Sequence, residues 1–331
     1  MMEPLVSIII PTYNRPEMFA HAFASAVTQT YDNLEIIVSD DSTDNATREM
    51  LSSLPKHGRE VRYRHNVPAL GAAGNFANSV RLASGKYVNL LMDDDILYPA
   101  KIERMAALLD ADRTIHLVTS CRAKIEDDGV QRNIWPGLEM VCLGDAVLSG
   151  TDVGNTCLTR LVNLIGEPTT VLFRASALSE PFGHMDGRLY GCNVDMASWL
   201  VLAGSGRVGF IRDVLSATRF HAQQQQHTLL MRLMAAADWV HQVRVARQFG
   251  YLQDDAEHAL ATQVAVAQAS GIANGLLTPG VVPTAQTSVV AEHMTMLRHE
   301  LRALGAMLTP NQGRVSRDLR HSVPESAGAG L

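Results

Sequence analysis

Asp93, Asp94 and Asp95 stand consecutively at the end of an apolar run, KYVNLLMDDD, and three adjacent carboxylates need a counter-charge. Two like charges about 4 Å apart repel by roughly 4 kcal/mol at an effective dielectric near 20. A divalent cation removes that cost, and hard cations such as Mg2+ and Mn2+ take carboxylate oxygens. The plainer alternative is a solvated, helix-capping acidic turn ahead of Pro99. A second acidic pair, Asp40-Asp41, precedes Ser42-Thr43-Asp44, a good Asx-turn and helix-capping sequence. Capping is expected of Thr43 or Asp44, which leaves a carboxylate at a strand end able to accept a further hydrogen bond.

The elements that must position these residues are legible as alternating patterns. Strand-like runs are read at 6–10, 34–39, 61–64 and 86–92, with helical patterns at 16–29, 45–54 and 74–83 between them. Such alternation predicts βαβ crossovers and an α/β fold with a mostly parallel sheet flanked by helices. Ligands of such sheets sit outside the carboxyl ends of the strands. Pro11-Thr12-Tyr13-Asn14, Asp40-Asp41-Ser42 and the aspartate triplet each follow a strand directly, so one sheet edge gathers all three. Residues 100–222 are mixed, with strand-like runs at 116–125, 169–173 and 206–211 and a helix at 194–203. Beyond residue 225 the composition turns to Ala-, Leu- and Met-rich amphipathic segments at 227–249, 254–273 and 287–308. The expected organisation is a catalytic domain over 1–225, a helical appendage over 226–309, and a disordered tail over 310–331 rich in Arg, Ser, Gly and Pro.

The 331 residues are 47% hydrophobic, enough for a sizeable core, and carry a net charge of -6 with His neutral. That charge argues against a nucleic-acid partner. Cys121, Cys142, Cys157 and Cys192 form no C-x-x-C pair and read as reduced thiols, which points to a cytoplasmic protein. No signal peptide or transmembrane segment is read, and peripheral membrane contact stays open.

With its motifs placed, the chain resembles family 2 glycosyltransferases of the GT-A fold, an inverting, nucleotide-sugar-dependent family. VSIIIPTYNRPE resembles the family's opening strand and loop, and LEIIVSDDSTD its second strand and acidic turn. N-x-x-x-x-GAAGN, ASGKYVNLLMDDDILYP, and VDMASWLVLAGSGRVGFI with TRFHAQQQ follow in the family order. The resemblance implies roles residue by residue. Asp95, together with His221, would hold Mn2+ or Mg2+; Asp93 would lie at the metal and diphosphate, and Asp94 near the donor ribose. Asp40 or Asp41 would accept from the base N3–H of a uridine donor, with Asp40 preferred, and Pro11 and Tyr13 would face the base. Asn75 would bind donor or structure its loop. Asp195, at a helix start where the macrodipole also favours an acid, would be the general base, with Asp186 and Glu180 as fallbacks.

Two departures stand out. The family often has Arg before the residue matching Asn75, where this chain has Gly74; Arg15 and Arg81 are candidate substitutes for its diphosphate contact. The usual Glu-Asp at the helix start is Val194-Asp195 here. The expected partners are a nucleotide-sugar donor, UDP-linked by preference, and a glycan, lipid-linked or small-molecule acceptor. The C-terminal helices are expected to pack on the catalytic domain or form a homodimer. Neither the G-x-G-x-x-G of a dinucleotide oxidoreductase nor the phosphate loop of a nucleotidyltransferase follows the first strand. A catalytically inactive nucleotide-sugar-binding module is the alternative.

Overall fold

The computed structural model describes residues 3–126, 131–134, 137–140, 142–220, 229–276 and 287–308. Strands β1 (Val6–Thr12), β2 (Leu34–Asp40), β3 (Glu60–His65) and β4 (Tyr87–Leu90) alternate with helices α1 (Pro16–Val27), α2 (Ala46–Ser53) and α3 (Gly71–Val80). Next come β5 (Ile96–Leu97), α4 (Lys101–Ala111), β6 (Ile115–Glu126), β7 (Gln131–Ile134), β8 (Ala146–Ser149), α5 (Gly150–Arg160) and β9 (Leu172–Arg174). The short hairpin β10 (His184–Met185) and β11 (Arg188–Leu189) leads to α6 (Val194–Gly204) and the long β12 (Arg207–Phe220). Helices α7 (Leu229–Val245), α8 (Asp255–Leu276) and α9 (Thr287–Leu308) follow.

One sheet organises these elements in the order β3-β2-β1-β4-β9-β6-β12-β5, with β7 on β6 and β8 on β12. The β3-β2-β1-β4 half is wholly parallel, β6 and β12 are parallel, and β9 runs antiparallel between β4 and β6. Both β1 and β2 are buried at every position, as strands covered on both faces must be. Alternate residues of β1 point to opposite layers. Ile8 and Ile10 join Phe19, Phe23 and Met105 in one core, while Ile9 joins Trp199, Leu200 and residues of α7 and α9 in the other. From β1 the chain passes to β2 on one side and returns through α3 to β4 on the other. The crevice at the carboxyl ends of β1 and β4 is therefore the topological switch point, where open α/β sheets bind ligands.

Several elements differ from the sequence reading, each for a physical reason. Helix α4 buries Ile102, Met105, Ala106 and Leu109, a helical spacing hidden behind a Pro99 that reads as a turn. Helix α5, GTDVGNTCLTR, has low intrinsic propensity and is started by the Ser149 hydroxyl, which accepts from the Asp152 amide. The strand expected at 169–173 begins only at Leu172, because Pro168–Thr170 forms a 3-10 turn. Strand β12 runs well past Ile211: its pairing to β6 shifts register between Ile211 and Val214, and Arg212 and Asp213 stay exposed at the irregularity. The domain boundary expected at 225/226 and the tail expected at 310–331 lie outside the described residues. Among the described residues, no helix is long and apolar enough to cross a membrane.

The C-terminal helices grip the start of α6. Asp238 of α7 accepts from the Cys192 and Asn193 amides at 2.8 and 3.0 Å and pairs with Arg188 at 2.9 Å. Arg188 reaches on to Glu300 of α9 at 3.1 Å, and Arg244 of α7 meets the same carboxylate at 3.1 Å. Asp238 is 1% exposed. Without Asp238, Arg188 keeps Glu300, but the Cys192 and Asn193 amides lose their acceptor, at about 1–3 kcal/mol for each buried donor left unpaired. Asp238→Ala should therefore lower stability by roughly that amount, read as a fall in the urea midpoint. A midpoint within error of wild type would contradict this anchoring.

Candidate active site

The aspartate triplet sits where β4 ends beside β1, and its three carboxyl groups have different surroundings. Asp93 is fully buried, with Arg15 Nη2 2.6 Å from its Oδ1 and the Tyr13 amide donating to its Oδ2 at 3.4 Å. Asp94 is partly exposed and accepts from Arg15 Nη1 at 2.8 Å. Asp95 is buried; its Oδ2 accepts from the Thr169 hydroxyl at 2.6 Å and its Oδ1 from the Arg219 amide at 2.9 Å. Arg219 Nε also donates to the Asp94 carbonyl at 2.9 Å. Burial pushes Asp93 up to about 7, against the pull of Arg15 and with the charge of Asp94 adding to the rise. Burial, then the charge of Asp94, raises Asp95 well above the usual carboxylate range.

The counter-charge that the triplet needs is thus partly supplied from within the chain, by Arg15. It stands at the amino end of α1, where Pro16 starts the helix and the Phe19 amide donates to the Arg15 carbonyl. Arg81, the other candidate substitute, is exposed at the carboxyl cap of α3. That places it a full ten-residue helix, about 15 Å, from the Gly71 end.

The loops after β1 and β2 are pinned together. Asn14 adopts φ 52, a left-handed conformation that Asn tolerates better than most residues. Its amide donates to the Ser42 hydroxyl at 2.8 Å, and its side-chain oxygen accepts from the Thr43 amide at 2.9 Å. Asp40 is fully buried and accepts from the Ser42 amide at 2.8 Å and the Tyr63 hydroxyl at 2.7 Å. Asp41 accepts from Asn66 Nδ2 at 2.8 Å and the Leu70 amide at 3.0 Å. The start of α2 is served by Asp44, which accepts from the Ala46 amide at 3.0 Å. Asn75 is spent on its surroundings, accepting from the Ser39 hydroxyl at 2.6 Å and donating to the Ser39 carbonyl at 3.0 Å. Pro11 is buried in β1, whereas the Tyr13 ring is 50% exposed above this floor.

Asp195 lies in the first turn of α6, in contact with the same region through one stretch of chain. Its Oδ1 accepts from the Met196 amide at 2.7 Å and its Oδ2 from Asn163 Nδ2 at 2.9 Å. The Asn163 oxygen in turn accepts from the Ile165 and Gly166 amides at 3.1 and 2.9 Å, and Trp199 Nε1 donates to the Gly166 carbonyl at 2.9 Å. Six residues on, Thr169 holds Asp95. Asn89 Nδ2 donates to the Thr169 and Val171 carbonyls at 3.1 and 2.7 Å, and the wholly buried Lys101 donates to the Thr170 carbonyl at 2.7 Å. Residues 163–171 therefore form a strap fixed to the acidic cluster at one end and to Asp195 at the other. Midway, Glu167 lies 2.5 Å from Nε of the buried Arg122, and its charge raises both Asp95 and Asp195.

Burial pushes Asp195 up to about 7; the Met196 amide opposes the shift and the Glu167 charge adds to it. A carboxyl group poised there is half ionised near neutrality, suited to taking a proton. Of the fallback acids, Glu180 accepts from the Asp186 and Gly187 amides at 2.9 and 3.0 Å, closing the β10–β11 turn in which Asp186 adopts φ 56. His221 lies outside the described residues. Among those residues, no three His, Cys, Asp or Glu side chains converge as a ready cation cage.

Comparison with known proteins agrees with this architecture. The sequence model of glycosyl transferase family 2 matches residues 7–178, and the chain belongs to that family. An uncharacterized glycosyltransferase of Rickettsia felis is 31% identical over 67% of this chain, but that region is only 35% of the Rickettsia protein. A Campylobacter jejuni protein named as a GalNAc(5)-diNAcBac-PP-undecaprenol beta-1,3-glucosyltransferase is 38% identical over 28% of this chain and 31% of its own. The chain thus spans about a third of each of these two relatives. Among solved structures, Staphylococcus aureus TarS 1-349 in complex with UDP-GlcNAc superimposes with TM-score 0.57 at 16% identity, covering 90% of this chain and 83% of that one. The mannosyltransferase PcManGT of Pyrobaculum calidifontis, with GDP-Man and Mn2+, gives 0.51 at 17% identity, covering 92% and 87%. These structural likenesses establish the shared GT-A-type fold.

The strap makes a direct prediction. Asn163 donates to the ionised form of Asp195, so Asn163→Ala removes a contact that favours ionisation. The Asp195 carboxyl, followed by carbon-detected NMR titration, should move upward from its midpoint of about 7. An unchanged or lowered midpoint would show that Asn163 does not set this acid.

Proposed function

We propose that the protein is an inverting, metal-assisted glycosyltransferase that moves a sugar from a nucleotide-diphosphate donor, UDP-linked by preference, to an acceptor hydroxyl. The observation that carries this reading is the strap, which ties the acidic cluster at the switch point to a single poised carboxylate. The family and the nucleotide-sugar complexes of the two structural neighbours set the reaction class.

The base of the donor lies along Pro11 and Tyr13, whose exposed ring offers a stacking face. Asp40 has two of its roughly four lone-pair directions left to accept from a uracil N3–H. Asp41 and Asn75 act by bracing the wall behind it. Asp94, the accessible member of the triplet, faces the ribose.

The residues present fit a hard divalent cation. Their donor atoms are all carboxylate oxygens, and the Asp93–Asp94 pair already holds a positive group, the Arg15 guanidinium. Asp93 and Asp95 would hold the metal, with His221 as a further ligand and donor phosphates completing the set, as is usual for Mg2+. When bound, such a cation offsets the charge developing on the leaving diphosphate. Asp195 takes the proton from the acceptor hydroxyl as its oxygen attacks the anomeric carbon from the face opposite the leaving group. Asn163 and the Met196 amide hold the carboxylate in one orientation for this transfer. Glu167, kept in place by Arg122, keeps the potential at Asp195 negative and so favours the protonated product of the step.

Substitutions separate the two halves of the site. Asp195→Asn should leave UDP-sugar binding intact and reduce transfer by about a hundredfold or more, the scale of general-base catalysis. Asp95→Asn should instead abolish metal-dependent donor binding, read by thermal shift with UDP and Mn2+. Because Asp195 must be ionised to accept a proton, kcat/KM of the wild type should rise with pH through about 7. Near-normal turnover of Asp195→Asn, or a rate falling across that range, would remove Asp195 from the role.

A further inference from the structure

Arg15 touches both carboxylates that the donor site needs. Its two terminal nitrogens are divided between Asp93 at 2.6 Å and Asp94 at 2.8 Å, so one guanidinium bridges the pair. Asp93 is fully buried, whereas the Arg15 side chain is 29% exposed and its backbone is held by the first turn of α1. The fork is therefore the solvent-accessible partner of the pair, and the carboxylate the enclosed one. A dication held by Asp93 and Asp95 would share Asp93 with this guanidinium, a like-charge contact within a few ångströms costing several kcal/mol at an effective dielectric near 20. A donor also brings a diphosphate, whose paired oxygens suit the bidentate geometry of Arg. The position before Asn75 is a glycine in this chain, Gly74, and Arg81 lies seven residues further along α3, about 10 Å away.

We propose that Arg15 is an exchangeable counter-ion: it holds Asp93 and Asp94 in the donor-free protein, gives up Asp93 to the divalent cation and Asp94 to the donor ribose, and swings onto the donor diphosphate. This rests on the metal-assisted reading above and adds to it the residue that contacts the phosphates. No covalent bond is made or broken; the two arginine–carboxylate pairs give way to a cation–carboxylate and an arginine–diphosphate pair. Exchange makes metal and donor binding mutually supportive, because the arginine displaced by one is the ligand of the other.

The test compares wild type with Arg15→Gln by calorimetry, first with MnCl2 alone and then with UDP at saturating Mn2+. Exchange predicts opposite shifts. Removing the competing cation should tighten Mn2+ binding to the donor-free protein by at least about tenfold, and removing the phosphate contact should weaken UDP by at least about tenfold, each the scale of one charge-assisted hydrogen bond. Arg15→Lys, which keeps the charge but cannot bridge two carboxylates, is the second variant and should fall between the two in both titrations. Should Arg15→Gln fail to fold, the lysine variant decides by the same signs. Mn2+ affinity equal to or below wild type, or UDP affinity unchanged, overturns the exchange. A wild type that binds no UDP contradicts the functional reading instead, while the Mn2+-only comparison still decides whether arginine and cation compete.

Discussion

Three carboxyl groups set at the end of a buried strand are the constraint around which the site is organised. Asp93 and Asp95 have almost no solvent to stabilise their charge, so each must be neutralised, paired or given hydrogen-bond donors. Each solution recruits a different part of the chain. Asp93 draws Arg15 from the start of α1, and Asp95 draws Thr169 from the strap and the Arg219 amide from the end of β12. Meeting the electrostatic demand of one loop thereby fixes three distant segments around the switch point.

The same logic extends to the proposed base. Asp195 is oriented by the far end of the strap that Asp95 secures, and the start of α6 is held from behind by Asp238 of α7. The acidic cluster and Asp195 are thus parts of one hydrogen-bonded framework. Helices α7 and α9 belong to the framework as well, since their apolar residues share a core with Trp199 and Ile9 beneath the site. The start of α6, with the proposed base, is thus held in part by elements that lie beyond residues 7–178, the region matching the family.

How far this was legible in the sequence follows from the range of each interaction. The parallel β1–β4 order and the acidic clusters at strand ends were readable because period, turn residues and spacing are local signals. Arg15 against Asp93 and Asp94 spans 78 and 79 residues of chain, and no local pattern announces it. Asn163 could have been flagged only as an Asn near a Gly; its bond to Asp195, 32 residues on, is a property of the fold. Assigning the metal to Asp95 rests on order in a motif, whereas the surroundings that distinguish the three aspartates are tertiary. Helix α5 was missed because its glycine and β-branched residues argue against a helix that packing against α6 and α8 nonetheless supports.

The central claim is that the acidic cluster at the switch point is a cation and diphosphate site facing Asp195. Its most direct test is a crystal structure with UDP and Mn2+, with data collected at an energy where manganese scatters anomalously. An anomalous peak bounded by Asp93, Asp95 and the diphosphate is expected, with the uracil beside Tyr13 and Asp40. Nucleotide bound elsewhere, or bound there with no manganese at the triplet, would contradict it.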